Sequence, residues 1–169
     1  MLVGTSPLCS LTGHERYRCL TTAMLGHNRP MPNRAVEFHD STFDGLERDG
    51  ANLTLRFSAA YIHESEGEPG LDAGIGWFQE VRLHFRNASI RGSMSKFPCY
   101  LWDGQISLAD ESFQMIPVPL EYSGRVELKL VENGQVEGQI KVTGTHVHME
   151  LSGEPRHVEK FPGFRNPNR

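Results

Sequence analysis

The chain has 169 residues, 38% of them hydrophobic and 22% charged, with 17 glycines and 10 prolines; that length buries a core without disulfides or metal. Its three cysteines, Cys9, Cys19 and Cys99, are odd in number and widely spaced, which argues against a disulfide framework or a cysteine zinc site and favours a reducing compartment. The formal charge of −4 conceals an acidic middle, because residues 1–30 and 154–169 each carry +2 and leave −8 between them, a balance that repels nucleic acid and suits a basic protein partner.

No apolar stretch reaches membrane-spanning length and no secretory leader pattern is found, so the expected location is the cytoplasm. Residues 1–30 show neither a period of two nor a helical stripe. Residues 1–33 read as a flexible N-terminal extension, with Met31-Pro32-Asn33-Arg34-Ala35 resembling an ordinary protein start and residues 1–30 an upstream artefact, the true start being Met31 or Met24. Residues 34–153 read as a single all-β domain and residues 154–169 as a C-terminal tail, in which Phe161 and Phe164 are candidate anchors.

Three Asx-Gly pairs, at 49–50, 103–104 and 133–134, each lie between strand-like runs and predict β-hairpins with type I′ turns. The first predicted strand is Thr42 to Arg48. The second runs from Ala51 to His63, with Leu53, Leu55, Phe57, Ala59 and Tyr61 on one face and His63 in register with them at the strand's end. Residues 64–76, ESEGEPGLDAGIG, form a long acidic connection. The third predicted strand, Trp77 to Ile90, buries Val81, Leu83 and Phe85. Phe97–Trp102 and Gln105–Ala109 flank Asp103-Gly104. Gly124–Val131 and Gln135–Thr143 flank Asn133-Gly134, placing Val126, Leu128 and Leu130 opposite Val136, Ile140 and Val142. In the last strand, Thr145 to Leu151, the inward phase has changed to Val147, Met149 and Leu151, which predicts a bulge at Gly144. The fold class is therefore all-β, an antiparallel meander forming a sandwich or partly open barrel.

The chemistry-bearing residues are sparse. His39, Asp40 and Ser41 are adjacent, and neighbouring side chains of an extended segment point in alternating directions, so they cannot act as a triad among themselves. Their expected role is to cap the chain ahead of the first strand through Asp40 or Ser41. His146 and His148 share a strand face with Glu150, a spacing able to chelate metal; the inward phase of Val147 and Met149 turns them to solvent, so no metal or other cofactor is expected. The acidic connection supplies Glu64, Glu66, Glu68 and Asp72, in an order that matches no EF-hand. Long loops in compact domains are often functional, so this loop and the aromatics Trp77, Tyr100 and Trp102 are the expected binding surface.

The pattern Phe38-His39-Asp40-Ser41-x-Phe43-x-x-Leu46, followed by Leu53-x-Leu55-x-Phe57, resembles the opening of small bacterial β-rich proteins, some of them similar to immunity proteins of polymorphic toxin systems. It covers residues 36–60. The resemblance implies a non-enzymatic, protein-binding role with no catalytic residues to carry over. The alternative expectation is a small-molecule or metal-binding β-barrel.

Overall fold

The structure, a computed structural model, describes residues 33–134 and 138–164. The predicted extension before Asn33 lies outside the described residues, as does Val136. Nine strands follow in order: β1 (Asn33–Asp49), β2 (Asn52–Ser65), β3 (Gly74–Arg86), β4 (Ser89–Ser93), β5 (Cys99–Leu108), β6 (Glu111–Phe113), β7 (Ile116–Val118), β8 (Glu121–Glu132) and β9 (Gln139–Phe161). Among the described residues there is no helix, and all pairings are antiparallel.

The strands form one sheet in the order β6-β5-β8-β9-β3-β2-β1-β7, with β4 on β9. Thr42 and Phe43 of β1 also pair with Tyr100 and Cys99 of β5, which joins the two sides of the sheet. The result is a ring of six strands closed by a two-residue bridge, a partly open barrel. Only β1–β2–β3 is a true meander. Alternation fills the interior: Leu53, Leu55, Phe57, Leu83, Phe85, Leu128, Leu130 and Val142 are buried together with Phe38 and Phe43. Phe38 stacks on Phe57 at 4.7 Å, and Phe43 meets Phe57 at 5.1 Å.

Turn chemistry placed the first hairpin within one residue. Asp49 pairs with Asn52, so the two turn residues are Gly50 and Ala51, and of these only Gly50 has positive φ (57°). A type I′ turn needs positive φ at both central positions, so this turn is of the II′ kind. Asp103-Gly104 is not a turn. It lies inside β5, where a Cβ on Gly104 would come within 2.7 Å of Phe38 and 2.9 Å of Leu130. This glycine exists for close packing. The turn that ends β5 is Ala109-Asp110, with Ala109 at φ 53° and Leu108 paired to Glu111. Asn133-Gly134 does lie between two paired strands, but pairing stops at Val131 and Gln139, so the connection is a longer loop.

Two of the bulges bear on the predicted faces. On β2, Ser58 and Ala59 oppose the single residue Glu80, so Ala60 and Ile62 turn inward after Phe57, and Ala59 and Tyr61 turn outward. That reverses the face predicted for Tyr61. The predicted phase change in the last strand is present, yet the extra residue is on the neighbour: Gly124 and Arg125 of β8 oppose Thr145. Regular structure also continues beyond Gly153. Glu154 to Phe161 extend β9 along β3, with Phe161 opposite Gly74.

Candidate functional site: two outward clusters joined by a bulge

β1 begins at Asn33, nine residues earlier than predicted, because Arg34, Ala35 and Val36 pair with both β2 and β7. His39-Asp40-Ser41 therefore does not precede a strand; it interrupts one. Four residues, Phe38 to Ser41, oppose the single residue Ala60. Such a bulge needs internal bonds, because its backbone groups leave the ladder. Ser41 supplies them. Its fully buried hydroxyl donates to the Glu37 carbonyl at 2.9 Å and accepts from the Tyr61 N–H at 3.1 Å. Asp40 takes positive φ (61°), and the bulge drives Phe38 into the core while His39 and Asp40 project outward. The capping chemistry expected of Ser41 is real, but it acts in mid-strand.

On one side of this bulge, an outward surface forms over β5. Tyr100 and Trp102, two residues apart on one strand face, are 66% and 58% exposed, and Phe97 just ahead of β5 is 48% exposed. His39 meets Trp102 edge-on at 5.3 Å, its Nδ1 lies 3.1 Å from the Asp40 carboxylate, and Phe97 packs edge-on against Phe43 at 5.4 Å. The segment carrying Phe97 is pinned from below by buried Glu132, which accepts from the Ser95 N–H at 2.7 Å and from the Ser95 hydroxyl. Beneath the surface, burial and the nearby carboxylates of Glu132 and Asp44 push the Cys99 thiol up to about 11. It is a buried, packed thiol.

On the other side, a second cluster centres on His63, buried to 7% exposure. The Glu37 carboxylate bonds His63 Nε2 at 2.7 Å, and that bond holds the Glu37 carboxyl below its ordinary value against the opposing effect of burial. His63 Nδ1 and the Ser65 hydroxyl are both buried and make no hydrogen bond among the described residues. Tyr61 packs edge-on to His63 at 4.7 Å, crosses Gly76 and donates to Glu159 at 2.8 Å. Burial, then the Glu159 bond, raises the Tyr61 phenol. Phe161 covers His63 at 5.8 Å and carries Phe164 at 5.2 Å, and the Phe164 N–H donates to the Leu71 carbonyl. Phe161 thus anchors on His63, whereas Phe164, 78% exposed, rests on Phe161 and is tied through its backbone.

The acidic connection and the exposed aromatics are not one surface. Glu64 is in β2 and bonds Arg34 at 2.6 Å. Only residues 66–73 form a loop, because Ser65 and Gly74 pair as a hairpin. Within it, Asp72 folds back to accept from the Glu68 N–H at 2.7 Å, while Glu66 is exposed. Asn33 holds this loop through the Gly67 carbonyl, whereas Thr42 lies beside Tyr100; their partners on β2, Ser65 and Ala59, are six residues apart, on the order of 20 Å. Trp77 is not a surface residue at all. It is buried, lies under the Arg34 guanidinium at 5.6 Å, and donates to Gln79.

His146 and His148 do project outward. His146 Nδ1 lies 3.0 Å from the Ser123 hydroxyl, His148 stacks on His84 at 6.2 Å, and His84 bonds Glu150 at 3.2 Å. Among the described residues no three His, Cys, Asp or Glu side chains converge as metal ligands. Core side chains from all six ring strands pack into one buried cluster. A depression of about 250 Å³ lies instead on the outside, lined by Ser107, Asp110, Ser112, Arg125 and Glu127, below the roughly 300–1,000 Å³ of typical ligand clefts.

Sequence reasoning missed Glu37, Glu159 and Phe97. Glu37 has a signal in retrospect: it is four residues before Ser41, and a bulge between them puts it diagonal to His63. Glu159 and Phe97 carry no such mark. Comparison with known proteins finds no family model, no curated protein and no solved structure that matches this chain. Among the described residues no helix is long and apolar enough to cross a membrane.

Proposed function

We propose that this chain is a non-enzymatic, cytoplasmic protein-binding domain, immunity-like in action, that docks a basic partner on the outward face of β5. One observation carries the reading: Tyr100, Trp102 and Phe97 stay 48–66% exposed although the core beneath them is complete. Leaving large aromatics in water forgoes burial worth about 1.5–3 kcal/mol each, and clustered aromatics are the usual energetic centre of protein interfaces. The acidic middle of the chain favours a basic partner, mainly through association rate.

The test is photo-crosslinking from Gln105, beside these rings on β5, in the native host, followed by affinity measurement with the captured protein. The double substitution Tyr100→Ala, Trp102→Ala is expected to weaken binding at least about tenfold, while the melting temperature stays within about 2 °C, since both rings are already exposed. Affinity unchanged in that variant overturns the reading.

A further inference from the structure

We infer that the partner's anchor on this surface is a cationic side chain, an arginine before a lysine, received between Trp102 and Asp40. The inference rests on the docking surface just described and names what that surface recognises.

Asp40 is the anionic group that the fold leaves uncommitted there. Its side chain is 69% exposed, and among the described residues its ion-pair partner is His39, with no lysine or arginine in reach. Four other carboxylates of β1, β5 and β8 are engaged. Asp44 accepts from the Ser58 hydroxyl, Glu47 pairs with Arg56, Asp103 turns back to accept the Gly104 N–H at 2.8 Å, and Glu132 is buried on Ser95. Asp40 is also held where it stands. The left-handed backbone at φ 61° and the two Ser41 bonds fix the bulge that projects it, so little order remains to be imposed on binding.

Trp102 supplies the second half. Indole is the best of the aromatic faces for a cation, and His39 meets this one edge-on, leaving more than half of the side chain uncovered. A guanidinium matches both groups because it is planar enough to stack on the ring and carries N–H donors for the carboxylate. An ammonium offers the charge without the plane. An anionic group would meet Asp40 and the acidic middle of the chain, and an uncharged apolar group would leave Asp40 without a role.

Trp102 is the exposed tryptophan and Trp77 the buried one, so the Trp77→Phe variant isolates its emission. The probe is acetyl-Gly-Arg-Gly-amide, compared with the same peptide carrying citrulline, a neutral isostere, in place of arginine. The arginine peptide is expected to quench Trp102 saturably, with the citrulline peptide at least about threefold weaker, the scale of an exposed ion pair. Asp40→Asn is expected to bring the arginine peptide down to the citrulline level, and Asp44→Asn to change nothing. Should Trp77→Phe fail to fold, the indole N–H resonance of Trp102 in the unmodified chain, assigned with Trp102→Phe, gives the same comparison. Equal binding of the two peptides, or an Asp40→Asn variant that binds arginine normally, overturns the anchor. If the anchor falls while capture of the partner still depends on Tyr100 and Trp102, the docking surface stands and only its recognition chemistry was wrong.

Discussion

The two outward clusters use the same parts to opposite ends. Each pairs a histidine with a carboxylate and sets it against aromatic rings: His39, Asp40 and Trp102 in one, His63, Glu37, Tyr61 and Phe161 in the other. Around His63 the chain provides its own cover, because β9 runs on to Phe161 and the segment after it folds back onto Leu71. Over β5 no segment of the described chain does so. A histidine–carboxylate pair under a phenylalanine is a piece of internal structure. The same pair beside a bare tryptophan is, on the function proposed above, half of an interface. What separates them is cover, and cover is decided by where the long last strand ends.

If that distinction is right, substitutions should sort by which cluster they touch. The largest effect is expected where both depend on one packing contact. Gly104→Ala pushes a methyl into Phe38 and Leu130 beneath the bulge, and overpacking of that kind costs about 2–3 kcal/mol. Chemical denaturation measures it, and an unchanged midpoint would show that β5 has room to shift. Ser41→Ala comes next, since it strips a hydrogen-bond partner from both the Glu37 carbonyl and the Tyr61 N–H in a buried place, a loss of about 2 kcal/mol. Because Ser41 shapes the bulge, this variant should also weaken partner binding, linking the two clusters in one measurement.

The sharpest comparison is between the histidines. His63→Ala removes a buried ring packed on Tyr61 and Phe161 and is expected to destabilise by about 1–2 kcal/mol. His39→Ala, at a half-exposed site, should stay within about 0.5 kcal/mol. Equal costs would mean that the exposed cluster is structural after all.

The smallest effect is the pH dependence contributed by Glu37. Its carboxyl is held below the ordinary 4.5 by His63, so its stabilisation is present above the unfolded-state value and is lost as pH falls through the folded one. The stability gap between the parent chain and Glu37→Gln should therefore be present at about pH 5 and close below about pH 4.5. A gap that persists at about pH 3 would show that the pair stabilises through packing alone.

Legibility from sequence followed how local each cause is. Alternation in β2 and β3 is a property of neighbouring residues, and it placed Leu53, Leu55, Phe57, Val81, Leu83 and Phe85 correctly inside. The Gly50 turn is equally local. Gly104 misled because a glycine needed for close approach and a glycine needed for positive φ look alike in sequence; only the position of Phe38, 66 residues earlier in the chain, tells them apart. Tyr61 was placed on the wrong face because the Ser58–Ala59 bulge has no signature of its own, and one extra residue reverses every side chain after it. Tyr100 and Trp102 are expected binding residues from the sequence, and both are exposed. Trp77, an equally plausible aromatic beside the acidic loop, turned inward.

By itself, then, the sequence determined the all-β class, most of the inward face and the first hairpin, because each follows from a period of two or from the backbone preference of a single turn. The tertiary structure alone decided that the ring closes through Thr42 and Phe43 onto β5, that residues 38–41 bulge out of a strand they were expected to precede, and that the last strand covers His63 but not Trp102. Those outcomes depend on contacts between segments tens of residues apart, where the free energy of burying one aromatic instead of another is set by which strands become neighbours.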